Sequence, residues 1–200
     1  MTTFFSAGCF VGALAFVALV VYVHGVRTDL DRLATPLSEF FAGPTRGAML
    51  LAYLFLSAGL ACGAAKLLTM PQTPIVPFAG TASAILIALA AASVIPTALT
   101  TRAALDVDTR TERSKTLHRL AAHLAFAAIV VAMLVYSALA FPSAHRDQRA
   151  LRTIAILVSV FAASVFVVSL QMPPGSPYYG IVQKLLVCLV VIWMLLIAAV

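Results

Sequence analysis

Charged side chains are scarce in this chain. Seven Asp and Glu and thirteen Lys and Arg make up 10% of 200 residues, against roughly 25% in soluble domains. Apolar residues reach 62%, too many to hide in one soluble core of this size, so an ordinary soluble domain is excluded. The three cysteines, Cys9, Cys62 and Cys188, fall inside apolar runs without C-x-x-C spacing, which argues against a disulfide framework or a zinc knuckle. No G-x-S-x-G stretch is present, so there is no nucleophile elbow of the hydrolase kind. The net charge of +6 lies in short loops and not in a basic stripe interleaved with aromatics, and nucleic-acid binding is rejected. Basic loops beside a membrane set topology or meet anionic lipid headgroups.

Long apolar runs fill the rest. They lie at about 4–25, 46–68, 77–99, 118–141, 151–171 and 180–200, each near the ~20 residues that span a hydrocarbon core. They are continuous, not alternating, so they read as helices and not as barrel strands. The expected fold is all-α: one polytopic six-helix transmembrane domain over 1–200. Prolines punctuate it at Pro71, Pro74 and Pro77, at Pro142, and at Pro173, Pro174 and Pro177. The first run follows an uncharged Met1-Thr2-Thr3 and exceeds the length of a signal-peptide core, so it reads as a retained span. Gly8-x-x-x-Gly12 and Gly59-x-x-x-Gly63 put small residues on one face of the first two helices, where backbones can approach.

Six spans place loops one, three and five on one membrane side. Nine of the thirteen basic residues, six of the seven acids, and His24, His118 and His123 belong to that side. The basic count favours a cytoplasmic location for these loops, with the termini opposite. In loop one, Thr35-Pro36 reads as a helix start and Gly43-Pro44 as a stop. The stretch between them reads either as a short interfacial helix or as a re-entry turn.

Three constellations have chemical possibilities. Asp106, Asp108, Glu112 and His118 carry oxygen and nitrogen ligands for a metal, though the same residues also read as a solvated loop with local ion pairs. His24 and His118 close and open helices at similar depth and are candidate axial ligands for one shallow b-type haem. His118 and His123 cannot share a centre, being about 140° apart around a helix. Finally, Lys184 sits one turn inside the sixth helix, where an ammonium either snorkels to the interface or pairs with Glu39 or an acid of loop three.

Several stretches together resemble a known family. Asp29-Leu30-Asp31 through Leu37-Ser38-Glu39-Phe40 and Gly43 is one. Val94-Ile95-Pro96-Thr97 and His118 are others, as is Gly180-Ile181-Val182-Gln183-Lys184 with Trp193 after it. In this order they are similar to the bacterial and archaeal membrane family catalogued as domain of unknown function 998. The resemblance implies a six-helix fold, a bacterial inner-membrane location and no established activity. Gln183 stands where that family usually has an acid, and Lys184 where it usually has arginine.

Resemblance and charge distribution meet at one interface. The expected site is a polar pocket lined by Glu39, Thr97, His118, Gln183 and Lys184, with a lipid headgroup, isoprenoid or other amphiphile as ligand and membrane lipids as partners. No resident cofactor is expected in this reading. Two alternatives are a structural or accessory subunit bound to other membrane subunits, and a haem-binding electron carrier. A transporter is disfavoured, because no paired intramembrane charges or inverted repeat are visible.

Overall fold

A computed structural model of the chain describes residues 2–41, 43–70, 77–105, 112–142, 145–173 and 176–200. The described residues form six long helices: α1 (Thr2–Val26), α2 (Arg46–Thr69), α3 (Pro77–Leu105), α4 (Glu112–Val135), α5 (Arg146–Gln171) and α6 (Tyr179–Ala199). α4 runs on into a π-helical turn, Tyr136–Ala140. Six segments are long and apolar enough to cross a membrane, so the chain is a multi-pass membrane protein. Successive helices pack against one another, and α6 returns to pack on α1, α2, α4 and α5. This closes the ring around a centre that holds Phe16, Leu60, Ala90, Ile129 and Val190.

Small residues set the α1–α2 spacing. A Cβ on Gly12 would stand 2.6 Å from the Gly59 Cα and 2.7 Å from the Phe55 carbonyl oxygen. The two backbones therefore touch at this pair, as the glycine spacing anticipates. Loop one departs from a surface helix. It forms a single 3-10 turn, Leu37–Phe41, then a second short one, Gly43–Thr45. Leu37, Phe40 and Phe41 are buried, so the segment plugs the end of the bundle. Gly43 has φ +78°, a left-handed conformation that a side chain would strain.

Two polar systems lie on the membrane-embedded faces. Lys66 is 2% exposed, and its Nζ donates to the Ile197 carbonyl at 2.7 Å and the Ala198 carbonyl at 3.2 Å. It adds a donor to the Ile197 carbonyl, which also accepts the Val200 N–H at 3.3 Å, and supplies one to the Ala198 carbonyl at the end of α6. Lys66 is thus a cation inside α2 that caps the end of α6. The π turn of α4 supplies the other system. Trp193 Nε1 donates to Ser137 Oγ at 2.9 Å, and Ser137 Oγ lies 3.1 Å from Ser159 Oγ. Arg152 donates to the carbonyls of Ser137 and Ala138, groups that the widened turn turns outward.

Two tests follow from this packing. Gly12→Val is expected to cost about 1–3 kcal/mol by overpacking and to lower the thermal midpoint in detergent. Gly25→Ala should leave the midpoint in place, since nothing lies within 4 Å of a Cβ there. Reporter fusions at Gln72, Arg110 and Arg149 should alternate in side, with Arg110 opposite the other two. The same side for Arg110 and Arg149 would contradict the six-span topology.

Candidate functional site at the loop-one face

α6 grips loop one through one helical face. Gly180, Gln183 and Lys184 are at positions i, i+3 and i+4 and so share that face. At Gly180 a Cβ would stand 2.2 Å from the Ala34 carbonyl oxygen, so only glycine admits the loop this close. Gln183 Oε1 accepts the Leu37 amide hydrogen at 2.9 Å. Lys184 Nζ donates to the carbonyls of Arg32, at 2.9 Å, and Thr35. It also lies 5.6 Å from the centroid of the Phe40 ring. Each contact satisfies backbone that is outside regular helix and therefore lacks its own partners.

The acids of loop one are committed locally. Asp29 takes Arg27 in a two-pronged ion pair, with both contacts at 2.8 Å. The guanidinium hydrogen bond holds the Asp29 carboxyl below the usual carboxylate range and raises Arg27. Asp31 Oδ1 accepts the amides of Leu33 at 2.7 Å and Ala34 at 2.9 Å, and these bonds lower its pKa. A lowered carboxyl supports the folded turn above its ordinary pKa and loses that support as pH falls through the lowered value.

Four of the five residues of the expected pocket divide between two cavities, and the fifth lines neither. Thr97, His118 and Gln183 line one in the bundle centre, beside Ser38 and Tyr53, with a volume of about 70 Å³. The His118 ring bonds the backbone carbonyl of Thr97, while the Thr97 hydroxyl donates to the Ser93 carbonyl at 2.7 Å. Lys184 faces a different cavity, a groove of about 640 Å³ between α1 and α6. Glu39 is exposed at the interface and lines neither cavity. Phe16 borders both, and neighbouring residues split between them: Leu37 and Lys184 face the groove, Ser38 and Gln183 the centre.

The groove was not foreseen. Its walls are Phe16, Val17, Val20, Val21, Val187, Val191 and Ile192, with His24, Gly25, Arg32 and Lys184 at its loop-one end. His24 Nδ1 bonds the Val20 carbonyl at 2.8 Å, its ring stacks on Phe40 at 4.3 Å, and its Nε2 is buried with no hydrogen-bond partner among the described residues. His24 therefore lines the groove and His118 the centre, so the structure does not bring the two candidate haem ligands to one cavity. Asp106 and Asp108 lie outside the described residues, as does the side chain of Glu112. Among the described residues no group of three His, Cys, Asp or Glu is gathered as a metal site.

A family model described as "Protein of unknown function (DUF998)" matches residues 10–200. The chain belongs to this family. Its match takes in α1 from residue 10 onward, the other five helices and every contact of the loop-one clamp. No curated protein and no solved structure matches the chain. For this DUF998 protein, the amide at Gln183 fills an acceptor's place. An acid there would accept the same Leu37 N–H, so the observed geometry gives the position a holding role.

The clamp makes a specific prediction. Gln183→Leu strands a buried amide, which costs about 1–3 kcal/mol, and should speed hydrogen exchange at the Leu37 amide. Gln183→Glu should retain slow exchange. Equal exchange in both variants would show that side-chain acceptance does not hold loop one.

Proposed function

We propose that this protein binds a membrane amphiphile in the groove between α1 and α6. The observation that carries the reading is the groove itself: about 640 Å³, with apolar walls and two cations at one end. That volume falls in the range of small-molecule sites, about 300–1,000 Å³. The central cavity, at about 70 Å³, has room for a few waters and not for an acyl chain. The amphiphile reading therefore moves from Thr97, His118 and Gln183 to the neighbouring space, and retains Lys184. The family resemblance favours the bacterial inner membrane as the setting.

The accessory-subunit alternative drew on the small-residue faces of α1 and α2. Gly12 and Gly59 are used against each other within the chain, so that feature no longer points to a partner. Binding is the extent of this proposal; the groove holds no set of side chains arranged as nucleophile, base and oxyanion donors.

Gly25 provides the test. It lines the groove, and a Cβ there meets nothing within 4 Å, so a larger side chain fills ligand space without displacing protein. Lipid co-purifying with Gly25→Leu, measured by mass spectrometry after extraction, should fall well below that of the unaltered protein at equal thermal stability. Unchanged lipid content would contradict the proposal.

A further inference from the structure

The groove has an asymmetric end. Three acids lie near its two cations, and their commitments differ. Asp29 is taken by Arg27, and Asp31 caps the amides of Leu33 and Ala34. Asp31 and Glu39 attract Lys184 electrostatically, but neither forms an ion pair with it among the described residues. The Arg32 guanidinium has no hydrogen-bond or ion-pair partner among them either. Lys184 gives two hydrogens to loop carbonyls, and an ammonium has three. One guanidinium and an ammonium with one uncommitted hydrogen thus line the same end of an apolar groove. Cations placed where a membrane span meets an exposed loop favour an anionic partner at headgroup level.

The groove's flank identifies the source of that anion. Val21 is 65% exposed and Ile192 43% exposed on the outer faces of α1 and α6, and Cys188 beside them is also exposed. These side chains belong to membrane-spanning segments, so the groove opens sideways to the bilayer. A ligand can enter with its chain in the leaflet and its head at the loop-one end.

Resting on the reading of the groove as an amphiphile site, we infer that its ligand is an anionic phospholipid. Its phosphate is held by Arg32 and Lys184, and an acyl chain lies against Phe16, Val20, Val187 and Val191. Arg32 supplies a planar fork suited to phosphate oxygens. Lys184 contributes a point charge already fixed in place by the loop. Selectivity for charge comes from Arg32, because it has no structural duty to lose.

The full-length protein, delipidated in neutral detergent, tests this by native mass spectrometry with dioleoyl phosphatidylglycerol and dioleoyl phosphatidylcholine. The expected result is tighter binding of phosphatidylglycerol. Arg32→Gln should weaken phosphatidylglycerol binding about fivefold and leave phosphatidylcholine binding unchanged. Arg149→Gln, on the opposite membrane side, should change neither. Equal binding of the two lipids, both lost in Gly25→Leu, would overturn the anionic assignment and leave the amphiphile site standing. Binding of both lipids that ignores Gly25→Leu would overturn the site as well. Displacement of phosphatidylglycerol by inorganic phosphate alone would show that a soluble anion, and not a lipid, occupies the cationic end.

Discussion

Backbone that is not helical survives among membrane helices only where each N–H and C=O finds a partner. Loop one of this protein is such a segment, and the first turns of α6 supply several of its partners. Gly180 yields the space, Gln183 accepts an amide, and Lys184 spans two carbonyls. Remove this grip and the 3-10 turn at Leu37–Phe41 loses its anchor. With it would go the inner wall of the groove, because Leu37 and Lys184 both belong to that wall.

The same economy recurs at the other end of α6. There Lys66 reaches from α2 to the last carbonyls of the helix. One lysine thus fastens a loop to the start of α6, and another fastens α2 to its end. Both ammonium groups satisfy backbone oxygens instead of acids. In a bilayer this avoids placing a second charge in a medium where each one is costly. At the loop-one end the lysine borders a groove.

The six spans were legible because bilayer thickness fixes helix length and leaves a direct mark on hydropathy. The α1–α2 approach was also readable, since Gly12 and Gly59 can have little other use on apolar faces. The division of the expected pocket was not readable. Gln183 and Lys184 are adjacent, and which side of the Phe16 wall each faces depends on rotation of α6, which hydropathy does not encode. The groove itself depends on the spacing between α1 and α6, distant in sequence. Lys66 had a signal: a single cation just inside the end of an apolar run. Such a residue has to find oxygen, and the carbonyl end of a neighbouring helix offers it.

Gln183 and Lys184 are neighbours on one face of α6. In this structure the two side chains do not address each other; they divide the polar atoms of one loop between them. The central claim is that this arrangement leaves Lys184 with one hydrogen to offer a lipid phosphate. Solid-state NMR can measure it directly, through the dipolar coupling between ³¹P of the bilayer and ¹⁵Nζ of Lys184 in phosphatidylglycerol membranes. The account predicts a coupling of contact range that is weaker in phosphatidylcholine membranes and absent in Gly25→Leu. A Lys184 nitrogen that shows no coupling to phosphorus in anionic membranes would contradict it.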